Sequence, residues 1–209
     1  APFACWVCIW GAIAMLTSAP FDDWWHNAYG LDVQIISPPH MVLAAGFFAV
    51  LLGTLLLLTA EKNLAKGNQK NFLELLFMYS ASLIIVQFAI ILTEYSFTNK
   101  QHTYEFYLFS LTIYSFLMVA FRSAADHKYA ATIIAALFTL HRLLIIWILP
   151  LFEAEPLLGP IYRDLDHYVA PYFPVLLVIP ALVVDIMHHK IKSGNRIVQT
   201  AMIGICFCI

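Results

Sequence analysis

Successive runs of apolar residues, each long enough to cross a bilayer, constrain this chain more than any motif within it. A helix needs roughly 20 apolar residues to cover the hydrocarbon core at about 1.5 Å per residue. Runs of that kind stand at 2–19, 40–60, 71–93, 104–121, 129–152 and 168–187. The chain is 62% hydrophobic and 11% charged, with a mean hydropathy of +0.80, which sets it apart from soluble domains. The expected fold is all-α: a polytopic transmembrane helix bundle of six full spans, forming a single integral membrane domain over residues 1–209. A seventh apolar run, 197–209, is too short to cross and reads as a helix cut by the chain end. The start, apolar from Ala1 without a basic flank, does not read as a secretory signal peptide.

Basic residues set the expected orientation. Lys62, Lys66, Lys70, Arg122, Lys128, Lys190, Lys192 and Arg196 fall in alternate loops, whereas the other loops hold only Lys100 and Arg163. The positive-inside rule puts the richer loops in the cytoplasm, together with the N-terminal end. Residues 20–39, 94–103 and 153–167 then face outward, carrying His26, His40, His102 and His167 among several Asp and Glu residues. An acidic, His-bearing outer surface suits cations and argues against nucleic acid as a partner. The expected setting is a bacterial inner membrane.

Within the first outer link, residues 22–40 concentrate groups able to bind a metal. Asp22 and His26 are four apart and share one face if the segment is helical. His40 follows Ser37-Pro38-Pro39, which reads as a helix start with Ser37 at the N-cap and proline in the first turn. Two helix ends would then aim one carboxylate and two imidazoles at one place, a two-His, one-carboxylate set. Such ligands accept copper, zinc, iron or nickel, with affinity generally peaking at copper. Three protein ligands also leave a coordination position open for water, dioxygen or substrate. Asp23, Asp32 and Glu94 are candidates to orient the imidazoles from behind. A simpler reading stands beside this one: Asp22 or Asp32 caps a helix, and Trp24, Trp25 and Tyr29 form an aromatic belt at the headgroups.

The order Asp22, Trp25, His26, Asp32, Ser37, Pro38, His40 resembles a metal-binding motif of the C subunit of copper membrane monooxygenases, the family of particulate methane and ammonia monooxygenases. The resemblance covers residues 22–40 of the 209, and the family's second copper motif has no counterpart here. It implies copper bound by Asp22, His26 and His40 near the outer side, with Asp32 and Trp25 as supporting or packing residues. It also implies oxidation of a small apolar molecule, other membrane subunits as partners, and electrons supplied from outside this chain. The alternative is a non-catalytic membrane subunit of a larger electron-transfer complex. A metal transporter is the weakest reading, because the second to fourth spans offer almost no ligand along a path.

Arg142 is the second anomaly. It lies near the middle of the fifth span beside His141, at a depth where a charge costs about 2.5–3.5 kcal/mol on insertion scales. Glu74, Asp185 and Glu94 are the acidic residues nearest the spans, and a bond to freed backbone carbonyls is the other structural option. Functional options are an anion or cofactor carboxylate at Arg142 and an axial ligand role for His141. Asp185 with His189 echoes the Asp-x-x-x-His spacing at the opposite membrane face, without a following Ser-Pro-x-His. Cys5 and Cys8 read as small apolar fillers, and Gly11, Gly46 and Gly53 as points of close helix approach.

Overall fold

The computed structural model describes residues 2–30, 36–93, 100–155, 165–170, 176–191, 201 and 204. They form helices α1 (Phe3–Tyr29), α2 (Pro38–Leu64), α3 (Gly67–Ile91), α4 (Tyr104–Ala124), α5 (Ala130–Ile148) and α6 (Val178–Lys190), with a 3-10 turn, Leu149–Leu151, extending α5. Five of these, with α5 counted through Leu151, are long and apolar enough to cross a membrane. The chain is thus a helical integral membrane bundle, with five such spans among the described residues rather than six. Of the sixth expected span, 168–187, only 178–187 is helical among the described residues, as part of the 13-residue α6 (Val178–Lys190), and residues 171–175 lie outside the described part. Most of the seventh run, 197–209, also lies outside it.

The first link is shorter than expected because α1 does not stop at residue 19. It passes through Pro20 and continues to Tyr29, 27 residues in all. At about 1.5 Å per residue that is roughly 40 Å, well beyond the ~30 Å hydrocarbon core. A ladder of rings supports the added turns: Phe21 stacks on Trp24 at 6.0 Å, and Trp25 meets Tyr29 at 4.5 Å. Gly30 ends the helix with φ 87°, a left-handed conformation that costs a glycine nothing. Asp22 and His26 therefore sit on a helix and not in a loop.

Helices α1 and α2 form the closest antiparallel pair, and their glycines explain why. A methyl group on Gly11 would lie 2.8 Å from the Gly46 carbonyl oxygen, and one on Gly53 would lie 2.8 Å from that of Ala4. Cys8 packs in the same seam, its thiol donating to the Val50 carbonyl at 3.6 Å. The expected close approach at these glycines is what the structure has.

At the other end of the bundle, charges bind five helices together. Lys62 at the end of α2 is 1% exposed and pairs with Glu74 of α3 at 2.8 Å, while also donating to the Ala124 carbonyl at 2.7 Å. The second oxygen of Glu74 accepts the Asp126 and His127 backbone N–H groups, at 2.8 and 3.1 Å. Asp185 of α6 is fully buried; it accepts from Thr132 N and Oγ1 at 2.8 and 2.7 Å, capping α5, and lies 2.8 Å from Arg122 Nε. Lys62 and Arg122, read from sequence as loop charges, are interior residues. They are stable there because each cation is met by a carboxylate that backbone donors also hold.

Candidate functional site

The site forms where α1 ends and α2 begins. Helical spacing puts Asp22 and His26 on one face of α1, with His26 Nε2 3.4 Å from Asp22 Oδ1. His40, in the first turn of α2, brings its own Nε2 to 3.7 Å from the same oxygen. The structure thus gathers Asp22, His26 and His40 across a helix pair, as their positions in sequence suggest.

Each imidazole is held from behind by a group the chain supplies locally. Gly30 turns its carbonyl back over the last turn of α1, and His26 Nδ1 donates to it at 3.0 Å. On α2, the buried Ser37 hydroxyl lies 2.9 Å from His40 Nδ1. Ser37 is the N-cap residue, yet its side chain makes no capping bond. Pro39 at the second helical position has no N–H to offer it, and the hydroxyl bonds the His40 ring rather than the His40 backbone N–H. A metal-ligating histidine is usually held through its other ring nitrogen, as both rings are here through Nδ1.

A carbonyl only accepts, so Nδ1 of His26 carries a proton, and in the neutral ring Nε2 then presents a lone pair to Asp22. Asp22 Oδ1 is itself buried and accepts no hydrogen bond among the described residues. A proton carried by either group, a bridging water molecule or a metal ion would reconcile the two acceptors. Two ligands sharing one tetrahedral ion lie roughly 3.3–3.6 Å apart when bound at about 2.0–2.2 Å. The 3.4 Å contact falls in that range, and the 3.7 Å contact is slightly outside it. As they stand, no three or more His, Cys, Asp or Glu residues among those described are placed to hold a metal ion. The arrangement is a carboxylate faced by two imidazoles and not a closed ligand set.

The other expected participants divide. Asp23 is exposed, and its backbone carbonyl accepts from Asn27 Nδ2 at 2.8 Å. Asp32 and Glu94 lie outside the described residues. Trp25 packs in the aromatic ladder. The orienting roles fall instead to Ser37 and Gly30; the glycine at the chain reversal is the sequence signal that points to the second.

Arg142 is buried, and its Nε has no hydrogen-bond partner among the described residues. Glu74 and Asp185, two of its expected partners, are committed to Lys62 and Arg122. His141 donates from Nδ1 to the Leu137 carbonyl of its own helix at 2.6 Å and packs on the Tyr79 ring at 5.5 Å. His189 lies 3.2 Å from the Lys128 carbonyl while Asp185 caps α5, so the echo of the Asp-x-x-x-His spacing does not form a second cluster. No protein family, no curated protein and no solved structure matches this chain.

Proposed function

We propose that Asp22, His26 and His40 form a metal site at the outer face of the membrane, and that the chain is a component resembling the C subunit of copper membrane monooxygenases. The observation that supports this reading most directly is the buried Asp22 oxygen, without a hydrogen bond among the described residues, faced by two imidazoles whose other nitrogens are already held. Asp22 would supply the negative charge, and His26 and His40 would bind through Nε2. Gly30 and Ser37 would fix the ring orientations. Copper is the metal such ligands favour, with zinc or iron as weaker candidates. When bound, copper would supply a redox centre for oxidising a small apolar molecule, with electrons delivered by other membrane subunits.

The proposed orientation has this site outside a bacterial inner membrane and the N-terminal end in the cytoplasm. With Lys62 and Arg122 assigned to the interior, Lys66, Lys70, Lys128, Lys190, Lys192 and Arg196 still outnumber Lys100 and Arg163.

A second reading, a non-catalytic membrane subunit of a larger electron-transfer complex, is favoured by one observation: the three side chains do not yet form a closed ligand set. A protonated His26 beside Asp22 would satisfy the same contacts. Metal content of the detergent-purified protein separates the two. About one copper per chain, lost in a His26→Ala, His40→Ala variant that remains folded, supports the metal site. No bound metal in the wild type after copper or zinc loading would overturn it and leave the accessory subunit.

A further inference from the structure

Arg142 is the one charge in the middle of a span that the fold leaves without a counter-charge among the described residues. It stands near the centre of the α5 span and is 8% exposed. The carboxylates of Glu74 and Asp185 are committed to Lys62 and Arg122. Nε of Arg142 is enclosed without a hydrogen-bond partner among the described residues, whereas the terminal nitrogens are not enclosed and hold the surface that remains. Cations at such depth normally face the protein interior and pair with an anion.

Packing indicates from which side an anion can arrive. Tyr114 of α4 is buried, and its ring lies 6.3 Å from that of Phe138, one turn from Arg142 on the same face of α5. Its phenol is also the titratable group that acts electrostatically on the guanidinium. Tyr114 and Arg142 stand at the edge of the packed core. From Tyr114 back to Tyr104 on α4, and from Arg142 on to Leu151, no further residue is buried. A slender ligand between these open stretches can meet the terminal nitrogens without unpacking the core.

The guanidinium fork matches a carboxylate, with two parallel charge-assisted hydrogen bonds. The phenol can donate a further bond to the same group. A small inorganic anion would lose its hydration here and gain no apolar burial, whereas an acid with an apolar tail gains both contacts. We propose that Arg142 and Tyr114 bind the carboxylate of a lipid-soluble monocarboxylic acid, its tail lying along the open stretches of α4 and α5. The proposal involves neither α1 nor α2 and holds whether or not a metal ion binds at Asp22.

The test is photolabelling of the full chain in lipid nanodiscs, at a mildly alkaline pH where the free acid is ionised. Diazirine-bearing palmitic acid is compared with its methyl ester, which keeps the tail and carries no charge. The expected result is about tenfold more label from the acid on peptides of α4 and α5, the low end of what charge-assisted hydrogen bonds give. Arg142→Gln removes an unpaired buried cation, so it should fold at least as well as the wild type, and the acid preference should vanish. In Tyr114→Phe the preference should shrink by about two- to fivefold, the ratio one net hydrogen bond gives. Glu94→Gln should leave it unchanged. Equal labelling by acid and ester in the wild type would overturn the proposal, as would a preference that survives Arg142→Gln. A preference that appears only in Glu94→Gln would assign Arg142 to Glu94 of the same chain and overturn it as well.

Discussion

Asp22 Oδ1 lies 3.7 Å from His40 Nε2, joining the last turns of α1 to the first turn of α2. The two residues are 18 positions apart, and five of the intervening residues, 31–35, lie outside the described part. The contact depends on α1 running on past Pro20 and on α2 starting sharply at Pro38.

Replacing Asp22 with Asn keeps the shape and removes the charge. On the metal-site reading, affinity for copper should fall at least about 100-fold, since a neutral amide oxygen is a far poorer partner for a divalent ion. Competition with a chromophoric chelator measures this. Unchanged affinity would remove Asp22 from the ligand set.

Ser37→Ala separates capping from orientation. If the hydroxyl orients His40, copper affinity should drop about 10- to 100-fold with helix content unchanged. If Ser37 served the helix instead, stability would fall by about 1 kcal/mol with affinity intact. Circular dichroism and the chelator titration, run on the same sample, decide between them.

Gly11→Val or Gly46→Val should open the α1–α2 seam. Even a single methyl on either glycine meets the opposing backbone oxygen at 2.8 Å, and a backbone atom cannot swing aside as a side chain can. A loss of about 1–3 kcal/mol or more is expected, read as a lower midpoint of thermal unfolding in detergent. Metal binding should weaken with it, because the same helix pair carries the site. A midpoint equal to wild type would contradict the packing described.

Lys62→Met leaves the buried Glu74 carboxylate without its cation and should cost about 3–5 kcal/mol. Glu74→Gln should cost less, since an amide oxygen can still accept the Asp126 and His127 N–H groups. The order of the two variants in a thermal denaturation series is the readout. The reverse order would mean that the Lys62 ammonium left without its carboxylate, and not the Glu74 carboxylate left without its cation, is the costlier buried charge.

Asp126 supplies a pH prediction outside the spans. A hydrogen bond from Lys70 holds its carboxyl below the ordinary value of 3.8. A depressed carboxyl stabilises the folded state fully above that ordinary value, and the contribution fades as pH falls through the lower, folded value. The group is half exposed, so the effect is small, under about 1 kcal/mol, and screened by salt. Asp126→Asn should therefore narrow the stability difference between neutral pH and about pH 3, measurably at low ionic strength. An identical pH profile in wild type and variant would show that the Lys70 contact contributes nothing.

The sequence by itself determined the helical membrane class, five of the spans, the closeness of α1 and α2 at their glycines, and the grouping of Asp22 with His26. These follow from local rules: apolar run length against bilayer thickness, the absence of a side chain, and the helical repeat. Ser37-Pro38-Pro39 likewise announced where α2 begins. Tertiary structure alone decided which charges are interior. Lys62 and Arg122 have the composition of loop residues, and only the arrival of Glu74 and Asp185 from other helices makes their burial tolerable. The same holds for Gln87, whose amide meets the Ala44 carbonyl of α2, and whose oxygen is left without a partner among the described residues, only once α2 and α3 are set side by side. The first turn of α2 lies between the two cases. Spacing placed Ser37 at the cap, but the spatial position of His40 gave its hydroxyl a different partner. Local periodicity depends on a few neighbouring residues, whereas a charge or an amide is satisfied by whatever the fold brings to it from far along the chain.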